Sequence, residues 1–77
     1  MDAPRDVPIR DDMIRLGQLL KHAGLVGSGG DARALLEAGG VTVNGAPETR
    51  RGRQLRRGDV VATEAGSVRI ATLASLK

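Results

Sequence analysis

Five arginines, Arg50, Arg51, Arg53, Arg56 and Arg57, fall within eight residues, with no acid among them. A guanidinium is a planar fork of fixed charge that can hold a phosphate through two parallel N–H donors, where an ammonium offers only a point charge. Guanidinium groups crowded this closely repel one another, and a polyanion laid beside them relieves that repulsion. The alternative is a solvated strand edge whose basic residues block the addition of further strands. A second feature lies upstream, in Gly27-Ser28-Gly29-Gly30. Ser28 is a good helix N-cap, and a helix that opens on bare glycines presents free amides at the positive end of its dipole, which attract phosphate. Arg33 stands one turn inside. Asp31 opposes the attraction from the same turn, and an ordinary capped helix start is the competing reading. The stretch lacks the Lys-Ser/Thr pair of a nucleotide-binding loop and has no strand before it, so it does not read as one.

Other chemistry is poorly supplied. The chain has no Cys, a single His and no Phe, Tyr or Trp. Thiolate zinc, disulfides and Cys nucleophiles are thereby excluded, and so is base stacking on aromatic platforms. The acids are scattered, and no pair has a spacing that one element would hold across a cleft. His22 falls on the polar side of its helix. The expectation is a protein that is not an enzyme, with no catalytic residues, no metal and no cofactor. No apolar run approaches the ~18 residues of a membrane span. Asp2, Pro4 and Asp6 stand where a signal peptide would be apolar. A small cytoplasmic monomer with no membrane role is expected.

The elements that must position these groups can be read from the periodicity. Residues 1–11 carry Pro4 and Pro8 and no apolar period, and are expected to form a flexible tail. A single domain is expected over 12–77. A helix over 12–23 would be capped by Asp12, with Leu16, Leu19, Leu20 and Ala23 as its apolar stripe and Met13 extending it backwards. Arg15, Gln18, Lys21 and His22 lie off that stripe, and Gly24 fits a left-handed C-terminal cap. A second helix over about 29–38 carries Ala32, Leu35 and Leu36, with Asp31 returning a bond to the Ser28 amide. From Gly40 the period changes to two. Val41 and Val43 alternate with polar residues, Asn44-Gly45 marks a tight turn, and Pro47 argues against a central strand. An Arg-rich segment follows, in which Gly52 permits an unusual backbone angle and Leu55 is the apolar anchor. Strands over 59–63 and 67–71 flank a turn at Glu64-Ala65-Gly66, and 72–77 either extends the last strand or frays. Two short helices cannot bury their stripes alone, so the fold class is α+β, the helices packed on a small antiparallel sheet.

Charge follows this division. Residues 1–12 hold two bases against four acids, and the remainder holds ten bases against five acids, for a net +3. Ten of the twelve bases are Arg. Basic excess in a small domain reads as polyanion binding or as an Arg-rich but ordinary surface.

A pattern of residues joins these features. It runs from Arg15-Leu16 and Leu19-Leu20 to Gly24-Leu25-Val26. It continues through Ser28, Ala32-Arg33, Leu35-Leu36 and Gly39 to Val41-Thr42-Val43-Asn44-Gly45, and closes with Glu48-Thr49-Arg50-Arg51-Gly52 and Gly58-Asp59-Val60-Val61. The stretch from Arg15 to Thr63 resembles the RNA-binding domain first defined in the fourth small-subunit ribosomal protein, and within that group the free-standing YbcJ-like proteins. The resemblance implies a helix pair on a small sheet with an αL-like motif, and binding to structured RNA, ribosomal or transfer. Carried over by position, it implies RNA contacts from Ser28, Arg33, Asn44, Gly45, Arg50, Arg51 and Arg53. The chain departs from the family at Gly17, where Asp is common, and at Gly29, where a base is common. Basic positions of the family are also Ala34, Glu37, Gly40 and Thr42 here, which shifts weight onto Arg50–Arg57.

The leading expectation is therefore a non-catalytic module that binds structured RNA through Arg–phosphate contacts and a helix N-terminus. Two other readings stand beside it: a protein-docking module acting at the ribosome, with ribosomal proteins or an RNA-modifying enzyme as partners, and a DNA-binding helix pair.

Overall fold

Leu16, Leu19 and Leu20 are fully shielded from solvent and form the inner face of α1 (Leu16–His22). The computed structural model describes residues 4–72. In it α1 packs on α2 (Gly29–Glu37), which contributes Ala32 and Leu36 to the same core. Both helices end alike. Gly24 (φ 74°) and Gly39 (φ 78°) take the left-handed conformation. The amide of Leu25 then reaches the Leu20 carbonyl at 2.9 Å, and that of Gly40 reaches the Leu35 carbonyl at 3.0 Å. These are paired C-terminal closures in which a glycine turns the chain back on its own helix. The cap expected at Gly24 is thus present.

Seven strands accompany the helices: β1 (Arg5–Ile9), β2 (Met13–Arg15), β3 (Thr42–Val43), β4 (Ala46–Pro47), β5 (Gln54–Arg56), β6 (Val60–Thr63) and β7 (Gly66–Thr72). Five of them form one sheet in the order β1-β7-β6-β3-β4, and β2 with β5 forms a separate two-stranded ribbon. Pro8 and Pro47 sit in β1 and β4, the two outer strands of the larger sheet. A missing amide costs least there, because no further strand asks for it. Asn44 (φ 52°) and Gly45 (φ 84°) make the tight β3–β4 turn, both left-handed as a two-residue hairpin of the favoured hand requires. Val41, Val43, Val61, Val68 and Ile70 line the sheet's inner face against the helices, and Leu55 joins them from β5. The α+β class holds, with two short helices on a sheet.

Three local expectations differ from the structure. Residues 5–9, expected within a flexible tail, form β1, which pairs in parallel with β7 from Arg5 opposite Val68 to Ile9 opposite Thr72. Val7 and Ile9 alternate into the core at 6% and 4% exposure. The sequence conceals this because Pro8 and the surrounding charges interrupt a short period-two pattern. The sheet is therefore mixed rather than wholly antiparallel. Second, α1 begins at Leu16, not at 12. Residues 13–15 pair with β5, placing Ile14 opposite Leu55. Met13 and Leu16 share helical spacing only by coincidence, and Asp12 does not cap the helix, whose N-cap is Arg15. Third, Gly52 is not among the glycines of positive φ. The turn there is ordinary, closed by the Arg53 amide on the Arg50 carbonyl at 3.3 Å. Residues 73–77 lie outside the described residues, and with them the question of how far the last strand extends.

Candidate functional site

The ribbon decides where the arginine loop lies. Pairing of β2 with β5 swings residues 50–53 onto the start of α1. The Leu16 amide donates to the Arg53 carbonyl at 2.8 Å, and the Gly17 amide to the Arg51 carbonyl at 2.9 Å. Backbone of the basic loop thus satisfies first-turn donors that a helix leaves without partners. Arg51 continues across Gly17: a Cβ on that glycine would lie 2.5 Å from Arg51 Cγ. The bare backbone of Gly17 is therefore where the arginine rests.

Beside this close approach runs an open cleft of about 390 Å³, lined by Arg15, Gly17, Gln18, Lys21, Gly29, Ala32, Arg51 and Gly52. Its bases come from three segments: the end of β2, the outer face of α1 and the loop before β5. No acid lines it. Among the described residues Arg15, Lys21 and Arg51 make no ion pair. The opposite wall is the start of α2. Ser28 caps that helix, its Oγ accepting from the Asp31 amide at 3.1 Å, and the Ala32 amide donates to the Ser28 carbonyl at 3.0 Å. The return bond expected from Asp31 to the Ser28 amide is not formed. The Gly29 and Gly30 amides have no acceptor among the described residues, so two donors at the positive helix end face solvent. A second groove, of about 430 Å³, is lined by Leu25, Val26 and Leu35 together with Asp31 and Glu64, and contains no base. Charge sign alone directs an anion to the first cleft.

The arginine run is not free of acids in space. Glu48 has 7% exposure, and its carboxylate gathers five donors. Oε2 accepts from the amides of Thr49 (3.0 Å) and Arg50 (3.1 Å) and from Arg50 Nε (3.3 Å). Oε1 accepts from Arg50 Nη2 (3.3 Å) and Arg53 Nη1 (3.0 Å). Hydrogen bonds from the Arg50 side chain and amide, then from Arg53, outweigh burial and hold the Glu48 carboxyl down from 4.5 to about 2. Contrary to a cluster of mutually repelling charges, Arg50 and Arg53 are therefore partly neutralised, while Arg51, Arg56 and Arg57 make no ion pair among the described residues.

The residues singled out from sequence separate accordingly. Arg51 lies in the cleft, and Ser28 does not line it but caps the helix whose Gly29 and Ala32 form its other wall. Arg50 and Arg53 line an adjoining hollow with Gly52 and Gln54. Arg33 is directed along its own helix to Glu37, with Nε 3.1 Å from Oε1 and both side chains well exposed. Asn44 and Gly45 are at the β3–β4 turn and line neither hollow. The Asn44 Nδ2 donates to Asp59 at 3.1 Å and its Oδ1 accepts from the Val60 amide at 2.9 Å, so the side chain fastens the turn to β6. Sequence reasoning missed Arg15, Lys21 and Glu48 as site residues. The signal was present: Arg15, Gln18 and Lys21 recur every three residues opposite the Leu stripe, and Glu48 precedes the basic run by two positions.

A family model described as the S4 domain matches residues 7–71, and the chain belongs to the S4 domain family. The match begins inside β1, in agreement with its place in the core. Over 58 residues the chain is also 48% identical to the probable ribosome maturation protein RlbA of Bacillus subtilis (strain 168), covering 75% of this chain and 82% of that relative.

Proposed function

We propose that this protein is a non-catalytic RNA-binding module that acts in ribosome maturation in the cytoplasm, with ribosomal RNA as its ligand and transfer RNA as the competing ligand class. The observation that carries the reading is the acid-free cleft in which Arg15, Lys21 and Arg51 meet the open start of α2. Family membership and the relative named for ribosome maturation support it. Lacking aromatic side chains, the protein would recognise its RNA by shape, phosphate and 2′-hydroxyl contacts rather than by stacking. The DNA reading has less support because the outer face of α2 offers few side chains that could read bases, chiefly Arg33 and Glu37, which face each other.

The test is a salt titration of binding to a labelled ribosomal RNA stem-loop, with bulk transfer RNA and duplex DNA as competitors. Replacing Arg15, Lys21 and Arg51 together by Ala should weaken binding more than about tenfold and flatten the salt slope by about 0.7–0.9 for each phosphate no longer neutralised. Binding unchanged in the triple variant removes the cleft from the mechanism. Retention on ribosomal particles after nuclease treatment favours a protein partner instead.

A further inference from the structure

Glu48 is the most buried charged side chain among the described residues, and its geometry has a consequence for Arg50. The carboxylate meets the guanidinium side-on, through Nε and Nη2. It also takes the Arg50 amide, so backbone and side chain of one residue are held by one group. A guanidinium carries five N–H donors in a rigid plane. Two of its nitrogens each give a donor to Glu48, and the end-on edge formed by Nη1 and the remaining Nη2 hydrogen is left over. The Arg50 side chain is 75% exposed although its partner is 8% exposed, so that edge faces solvent. An exposed arginine ordinarily loses rotamer freedom when it grips a phosphate. Here that freedom is already restricted by an acid sunk beneath it.

We infer that Glu48 is a positioning residue for RNA binding, fixing the plane of Arg50 so that its outer edge is presented to a backbone phosphate beside the Arg51 cleft. This rests on the RNA reading above and adds to it a role for an anionic residue in gripping an anionic ligand. The sign of the effect makes it testable. Glu48→Gln keeps the shape of the side chain and raises the net charge by one unit. Bulk electrostatics then calls for tighter binding and a steeper salt slope. Positioning calls for the reverse.

The experiment measures binding of the labelled ribosomal RNA stem-loop by the full chain across a salt series, for wild type, Glu48→Gln, Arg50→Lys and the double variant. Amide NMR spectra serve as the check on folding. Glu48→Gln should bind about tenfold more weakly, the loss expected for one charge-assisted hydrogen bond, with a salt slope lower by about 0.7–0.9. Arg50→Lys keeps the charge and loses the fork, and should bind about tenfold more weakly too. The double variant should be no weaker than either single one, because both remove the same interaction. Equal or tighter binding by folded Glu48→Gln overturns the inference. If that variant does not fold, wild-type affinity in Arg50→Lys overturns it by itself. Absence of RNA binding by the wild-type protein in the same assay overturns instead the RNA reading on which the inference stands.

Discussion

The two helices begin on opposite walls of one cleft, and their first turns are treated in opposite ways. At the start of α1 the Leu16 and Gly17 amides are consumed by carbonyls of Arg53 and Arg51. At the start of α2 the Gly29 and Gly30 amides point to solvent behind the Ser28 cap. The glycines differ in the same sense. A side chain on Gly17 would run into Arg51 Cγ at 2.5 Å, whereas one on Gly29 would meet nothing within 4 Å. One helix start is finished by the protein and the other is left open. A single loop connects them, since its backbone closes the first while the Arg51 side chain reaches the cleft in front of the second. Glycine at a helix start can thus be required by packing or stand in open space, and only the surroundings distinguish the two.

Substitutions at these positions probe the contrast between the two helix starts. The larger effect is expected at Gly17. Gly17→Val should lower stability by about 1–3 kcal/mol in a denaturant melt, the usual cost of overpacking, and should weaken RNA binding by displacing Arg51. Stability equal to wild type would show that the loop moves freely and that the close approach is not a constraint. Gly29→Ala should behave differently. Its stability should stay within about 1 kcal/mol of wild type, because Ala is the better helix former and the space is empty, yet its RNA affinity should fall as the new methyl crowds the amides. Unaltered affinity in Gly29→Ala would mean that the open amides play no part.

The same contrast marks what could be read from the residues alone. Helical stripes, the Asn44-Gly45 turn and the Gly24 closure were legible because each is a local rule acting over a few positions. Ser28 as the cap of α2 was legible for the same reason. Arg51 was among the expected RNA contacts, but its resting place on Gly17 depends on the ribbon formed by β2 and β5, whose strands lie far apart along the chain, with both helices between them. Parallel pairing of β1 with β7 is likewise set by the meeting of distant segments, and it brought a stretch read as a tail into the core. The neutralisation of Arg50 and Arg53 by Glu48 escaped because the acid lies outside the eight-residue run, and counting charge along the chain does not reveal that its carboxylate turns inward.

If RNA lies across the cleft between the closed helix start and the open one, its footprint should be visible residue by residue. An amide NMR titration of the labelled full chain with the ribosomal RNA stem-loop reads that footprint. The largest shifts should fall on Gly17, Gly29, Gly30, Arg51 and Gly52, with little change along β1 and β7. Shifts concentrated instead around Leu25, Leu35 and Glu64, with Gly29 and Gly30 unmoved, would place the RNA in the other groove and refute the cleft as its seat.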